Sequence, residues 1–223
     1  MSTATTTHGA VSGRFVATPS GQVEAFLGIP YGAPPVGARR FAAPVSAAPW
    51  EGVRPATSFG SAAVQPRDGM FAGVVPGLEP TTPSEEDCLT LNVWRPAADG
   101  DPRPVLVWIY GGAFQMGGTS APTYDGARLA AEQGVVVVTL NYRVGVLGFL
   151  DLRSVGGLDA GAVSNPGLRD QLLALQWVQD NAASFGGDPS RVTAFGESAG
   201  AGSLIHLLAS PLLGDRGGRS RVV

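Results

Sequence analysis

An α/β fold, with a mostly parallel central sheet flanked by helices, is predicted for this chain by three observations. The second half alternates strand-like and helix-like segments. Its strand-like segments, such as PVLVWI (104–109) and VVVVTLNY (135–142), are almost continuously apolar, the pattern of parallel strands covered on both faces. And residues 165–187 carry helix punctuation at both ends: Asn165 and Pro166 at the start, Gly186 and Gly187 at the finish, which suit an N-cap, a first helical position and a left-handed stop.

The elements follow in order. GRFVAT (13–18) and QVEAFLGIPY (22–31), separated by Gly21, read as a hairpin. A long proline-rich stretch, 28–66, should be irregular and pinned to a core by Phe41, Trp50 and Phe59. LTLNVWRP (89–96) reads as a strand, YDGARLAAEQG (124–134) as a short helix closed by Gly134. In the helix beginning at Asn165, Leu168, Leu172, Leu175, Val178 and Ala182 form one apolar stripe at spacings of three and four. RVTAF (191–195) is a strand, and SAGAGSLIHLLAS (198–210) turns into a helix stopped by Pro211. No repeat or linker divides the chain, so one domain is expected over 1–223, with residues 1–9 as a disordered tail.

Composition bounds the function. With 44% hydrophobic and 15% charged residues the chain can bury a core. A net charge of −3 argues against a nucleic-acid partner. Cys88 is the single cysteine, so no intrachain disulfide can form and an unpaired, buried thiol is expected. The N-terminus lacks a basic stretch followed by an apolar one, and no apolar run approaches ~18 residues. These features predict a cytoplasmic protein without a membrane span.

The chemistry centres on TAFGESAGAGS (193–203). Gly-x-Ser-x-Gly is a weak pattern in a chain with 32 glycines. Its setting is more informative: a strand runs into Gly196-Glu197-Ser198-Ala199-Gly200 and a helix leaves. That is a nucleophile elbow, a sharp turn that lifts a serine hydroxyl over the sheet's end. Side chains two positions before and after would collide in such a turn, hence glycine at both. The amide of Ala199 opens a helix and suits a developing oxyanion. Upstream, Gly111, Gly112 and Ala113 follow a buried strand. A turn of such small residues frees backbone N–H groups to face a cleft, as an oxyanion loop does.

These segments together resemble the type-B carboxylesterases, the cholinesterase-like branch of the α/β-hydrolases. FGGDPSRVTAFGESAGA (185–201) is similar to that family's serine signature and EDCLTLNVW (86–94) to its second signature. GIPYGAPPVGARRF (28–41), WIYGGAF (108–114), NYRVGVLGFL (141–150) and NPGLRDQLLALQWVQDN (165–181) resemble family segments in family order. The resemblance covers about residues 10–213. It implies Ser198 as nucleophile, the N–H groups of Gly112, Ala113 and Ala199 as oxyanion hole, and Glu197 as a flanking electrostatic residue. It also implies two buried structural ion pairs, Arg40 with Glu86 and Arg143 with Asp170. The substrate would be a small carboxylic ester, hydrolysed through an acyl-enzyme, with no metal or organic cofactor. The family's partner cysteine for the position of Cys88 has no counterpart in FGSAAVQPR (59–67).

A serine esterase also needs a base within roughly 3 Å of the nucleophile, a histidine oriented by a carboxylate that follows the serine in the chain. Only His8 and His206 exist. His206 lies eight positions beyond Ser198 on the same helix, roughly 12 Å away along the axis, and should be a packed helix residue. His8 sits in the expected tail. The triad acid and histidine are therefore expected to be absent, residues 214–223 to be a tail unlike the family, and the chain to be an N-terminal fragment inactive alone. The alternative is a non-catalytic, cholinesterase-like binding module. With 191–195 as an edge strand, self-association through the exposed sheet edge is expected.

Overall fold

The computed structural model describes residues 2–66, 76–97, 100–152 and 161–214. Its strands are β1 (Thr3–Thr6), β2 (Gly9–Ser12), β3 (Arg14–Thr18), β4 (Gly21–Pro30), β5 (Val53–Pro55), β6 (Thr90–Pro96), β7 (Arg103–Ile109), β8 (Val136–Leu140) and β9 (Gly187–Gly196). Its helices are α1 (Ala127–Gln133), α2 (Gly145–Phe149), α3 (Pro166–Asn181), α4 (Ala199–Leu208) and α5 (Pro211–Gly214).

Among the described residues the main sheet has six strands in the order β3-β4-β6-β8-β7-β9. The sheet is mixed, not mostly parallel. β3/β4, β4/β6 and β6/β8 pair antiparallel, while β7/β8 and β7/β9 pair parallel. The helical crossovers that impose parallel pairing occur only after β7; before it the strands are joined without them. The predicted hairpin of β3 and β4 forms, with Thr18 opposite Gly21. The coarse result is an α/β fold of mixed sheets with helices.

The N-terminus departs from expectation. Residues 3–12 are not a disordered tail but the β1/β2 hairpin, which joins β5 in a second, three-stranded sheet. Ala4 and Val11 enter the main core. Asn181 clamps the turn between the strands: its Oδ1 accepts from the Thr7 amide at 2.7 Å. A polar composition hid a segment held by one long-range side chain and two apolar anchors. Of the three aromatic pins in 28–66, Trp50 packs against the main core and Phe59 against a smaller cluster around Trp94. The expected tail at 214–223 lies outside the described residues beyond Gly214.

α1 ends as predicted, with Gly134 left-handed at φ 65°. α3 begins at Pro166, but Asn165 is left-handed and makes no side-chain cap. The stripe read from apolar residues is rotated. Leu172, Val178 and Ala182 are buried, Leu168 and Leu175 only half-buried, and Asp170, Gln171, Trp177 and Asn181 share the buried face. Each of the three polar residues there has a partner. Gln171 donates to the Ser203 hydroxyl of α4 at 3.1 Å, and Asn181 to the Trp177 carbonyl at 2.8 Å.

Asp170 belongs to a buried ion pair. Arg143, just past β8, donates Nη2 to Oδ1 at 2.6 Å, and Nε and its own amide to Oδ2 at 2.8 and 3.0 Å. Its Nη1 donates to the carbonyls of Arg40 and Ala42 at 2.9 and 3.0 Å. The pair thus ties α3, the exit of β8 and the proline-rich loop at one point. Arg40 and Glu86 also pair, both nitrogen–oxygen distances being 2.7 Å. That pair is not buried as expected: the side chains are 43% and 25% exposed, so water screens it. A further pair that sequence reading missed, Glu24 with Arg95 at 2.5 Å, joins directly opposed residues of β4 and β6.

Removing one member of the Arg143–Asp170 pair strands a charge in the core. Asp170→Ala should cost about 3 to 5 kcal/mol of stability in urea denaturation. A second substitution, Arg143→Met, placed on Asp170→Ala should add less than it costs alone, since the stranded charge leaves with it.

Candidate active site

β7 and β9 run parallel, and their register sets Ile109 against Gly196. Both strands therefore end at the same level, and the turns that leave them meet. Ser198 stands between the end of β9 and the start of α4, with φ 51° and ψ −118°. A non-glycine residue in that region is strained by about 1–3 kcal/mol. The following turn is held by the amides of Gly200 and Gly202, which donate to the carbonyls of Glu197 and Ser198 at 2.8 Å each. Ser198 itself is exposed.

The glycines of the motif are required by contact. A Cβ on Gly196 would lie 2.7 Å from the Ile109 oxygen and from the Gly200 carbonyl carbon. One on Gly200 would strike the Ile109 oxygen and lie 2.9 Å from the Tyr110 oxygen. One on Gly111 would lie 2.6 Å from the Glu197 carboxylate and 3.1 Å from the Ser198 Cβ. The structure thus brings the two predicted halves of the site together, the Gly111–Ala113 turn against the Glu197–Ser198 elbow.

That turn is itself unusual. Gly112, Ala113 and Phe114 all have positive φ, at 110°, 53° and 61°. The Gly112 carbonyl accepts from the amides of Gln115 and Met116 at 2.9 and 3.1 Å, which coils the loop tightly. Among the described residues the N–H groups of Gly112, Ala113 and Ala199 find no acceptor. Unpaired N–H groups clustered beside an exposed serine can receive an anion.

Beneath the site, Tyr110 and Tyr142 lock the ends of β7 and β8. Their rings stack at 4.4 Å between centroids. The Tyr142 hydroxyl donates to the Tyr110 carbonyl at 2.7 Å, and the Tyr110 hydroxyl to the Tyr142 carbonyl at 3.3 Å. Neither phenol is available as a proton donor of ordinary strength, since burial pushes both well above the usual tyrosine range. Tyr124, only partly buried, is raised by burial and then by the negative charge of Glu197. Glu197 is exposed, with its carboxylate over Gly111.

The histidines lie elsewhere. His8 sits in the β1/β2 turn, where Nε2 meets the Ser46 hydroxyl at 2.7 Å and Nδ1 the Thr7 hydroxyl at 3.1 Å. Its ring stacks on Trp50 at 6.3 Å. His206 is exposed on α4, not packed as expected. Eight residues of helix still separate it from Ser198 by roughly 12 Å. Cys88 is buried and unpaired, and burial pushes its thiol far up. Among the described residues no group of three or more His, Cys, Asp or Glu could hold a metal ion.

The fold and the elbow accord with one comparison. A sequence model described as "Carboxylesterase family" matches residues 1–217. The chain belongs to the carboxylesterase family. Membership supports ester hydrolase activity by family, and no helix among the described residues is long and apolar enough to cross a membrane.

Missing from the sequence reading were the positive φ of Ala113 and Phe114 and the long-range contacts that hold the loop. No local pattern marks either. Gly200→Ala should disrupt the elbow by forcing α4 off β7. We expect a loss of about 1–3 kcal/mol, the usual overpacking cost, measured by urea denaturation.

Proposed function

We propose that Ser198 is the nucleophile of a carboxylic ester hydrolase. The observation that carries this reading is the placing of the Gly111–Ala113 turn against the elbow of an exposed serine, where the N–H groups of Gly112, Ala113 and Ala199 find no acceptor among the described residues. Ser198 Oγ would attack the ester carbonyl and lose its proton to a base. The N–H groups of Gly112, Ala113 and Ala199 would hold the oxyanion of the tetrahedral intermediate. Collapse expels the alcohol, which takes up the proton, and leaves an acyl-serine. Water, deprotonated in turn, releases the acid. Glu197 would add a negative charge beside the site, favouring a protonated base over a neutral one.

Among the described residues neither histidine is placed as that base, since His8 is bonded to Ser46 and His206 is exposed on α4 eight positions from Ser198. The reading therefore includes inactivity of this chain alone. The same observation supports a second reading, a non-catalytic binding module of cholinesterase-like type. Buried, unpaired Cys88 supports an intracellular, reducing location.

A fluorophosphonate probe tests the nucleophile: Oγ attack on phosphorus expels fluoride, a good leaving group, and without a positioned base the hydroxyl proton passes to solvent, so a slow adduct should form over hours where the N–H groups hold the phosphoryl oxygen. We expect one adduct on the wild-type chain, found by mass spectrometry on Ser198 and absent from Ser198→Ala. An activated aryl ester should meanwhile be hydrolysed at the background rate. An adduct that persists in Ser198→Ala overturns the nucleophile assignment. Serine-dependent turnover near the ordinary ~10 s⁻¹ overturns the inactivity.

We also propose self-association at the open edge of β9, the last strand of the main sheet. Phe195, Ile205 and Leu208 are 36%, 68% and 54% exposed on β9 and on α4 beside it, an apolar surface next to unpaired strand groups. Light scattering at micromolar concentration should give a mass above the monomer, lowered by Ile205→Glu. A monodisperse monomer refutes it.

A further inference from the structure

Three successive residues of positive φ, two of them not glycine, make the Gly112–Phe114 turn costly to hold. Such a turn persists only where the surroundings over-determine it. Two external hydrogen-bond tethers do so among the described residues, beside the packing of the Phe114 ring on Phe149. The Gly145 amide donates to the Phe114 carbonyl at 2.6 Å. The other is a side chain. Gln65 Oε1 accepts from the Gly117 amide at 2.9 Å, and its Nε2 donates to the Gly117 carbonyl at 2.7 Å and to the Ala63 carbonyl at 3.0 Å.

The Gln65 carboxamide therefore grips both polar groups of one glycine, 52 positions away. The pattern also fixes its orientation, because only one way round presents an acceptor to the amide and a donor to the carbonyl. No residue but glycine fits at position 117. Its φ is 120°, and a Cβ there would lie 2.5 Å from the Tyr110 ring. Tyr110 from below and Gln65 from the side thus pin the returning limb of the turn, and the limb's start is fixed by β7.

We propose that Gln65 is the positioning residue of this loop, acting through Gly117 to aim the N–H groups of Gly112 and Ala113 at the substrate oxyanion; this rests on the reading of Ser198 as nucleophile. Gln65 touches no reacting atom. Its loss should let the strained turn relax and move the donors. A misplacement of about 1 Å is worth about 100-fold in rate.

The test uses the full chain and two readouts, hydrogen exchange at the Gly117 amide and the maximal rate at which the fluorophosphonate labels Ser198. In Gln65→Ala the Gly117 amide should exchange about tenfold faster, as expected for loss of one such bond, and labelling should slow by about 10- to 100-fold. Gln65→Glu keeps the acceptor but loses both donations, so it should protect Gly117 partly and label at an intermediate rate. Asn181→Ala, which loosens the N-terminal hairpin far from the loop, should lower the melting temperature without slowing the label. Gly117 exchange unchanged in Gln65→Ala overturns the proposal, whether or not Ser198 is labelled. So does faster exchange with labelling no slower than in Asn181→Ala. Absence of label from the wild-type chain overturns the esterase reading instead.

Discussion

The site depends on one steric constraint: where β7 ends, its backbone touches the elbow with no room for a methyl group between them. The oxygens of Ile109 and Tyr110 face Gly200, the Ile109 oxygen also faces Gly196, and Gly111 faces the carboxylate and carbonyl of Glu197. Three glycines from two distant segments are needed for that single approach. Parallel pairing of β7 with β9 is what makes it available, since parallel neighbours finish on the same side of the sheet and hand their loops to one crevice. The antiparallel half of the sheet has another task. It extends the surface on which Trp94 and the smaller cluster pack, and it anchors the sheet through the Glu24–Arg95 pair.

Close approach creates strain, and the strain is distributed. Ser198, Ala113 and Phe114 all sit at positive φ without being glycine. At about 1–3 kcal/mol each these are large against a total stability of about 5–15 kcal/mol. The counterweights lie just outside the strained residues: the reciprocal tyrosine pair beneath them, the helix that Ser198 opens, and the bonds from Gly145 and Gln65. The buried Arg143–Asp170 pair stands one step further back. It fixes the chain leaving β8 two residues before Gly145, and so sets where the tether to Phe114 begins.

What the sequence made legible follows from the range of each signal. The elbow could be read because strand, turn glycines, serine and helix are contiguous. The close of α1 at Gly134 and Pro166 as the first residue of α3 were legible for the same reason, though not the Asn165 cap. The N-terminal hairpin was not, since Asn181 holds it from 174 positions away. Nor was the true buried face of α3 from its own periodicity: Gln171 and Asn181 look like surface residues until their partners are known, and Asp170 was placed only through the family resemblance. Parallel pairing was over-extended from β7, β8 and β9, whose neighbouring pairs are parallel, to the sheet as a whole; β6, which carries Asn92 among its apolar residues, pairs antiparallel. Apolar runs report burial, and β6 is buried; they do not report strand direction. Gln65 carries no local mark at all, since its partner is a backbone.

The two shortfalls of the site are physically one. Backbone donors stabilise an oxyanion strongly only where water is kept out, because the same charge–dipole attraction falls steeply as the local dielectric rises. Here Ala113, Glu197 and Ser198 are all exposed. Of the proposed donors, Ala199 is buried and Gly112 half-buried, but Ala113 is exposed like the serine, so preorganisation alone would deliver a fraction of what the same geometry gives in a closed site. A base must come within about 3 Å of Oγ, and any group at that distance also displaces the water that now covers the serine. Whatever supplies the base would thus supply the cover. The proton acceptor and the low dielectric would arrive together, and the strained turn would gain its catalytic value only then.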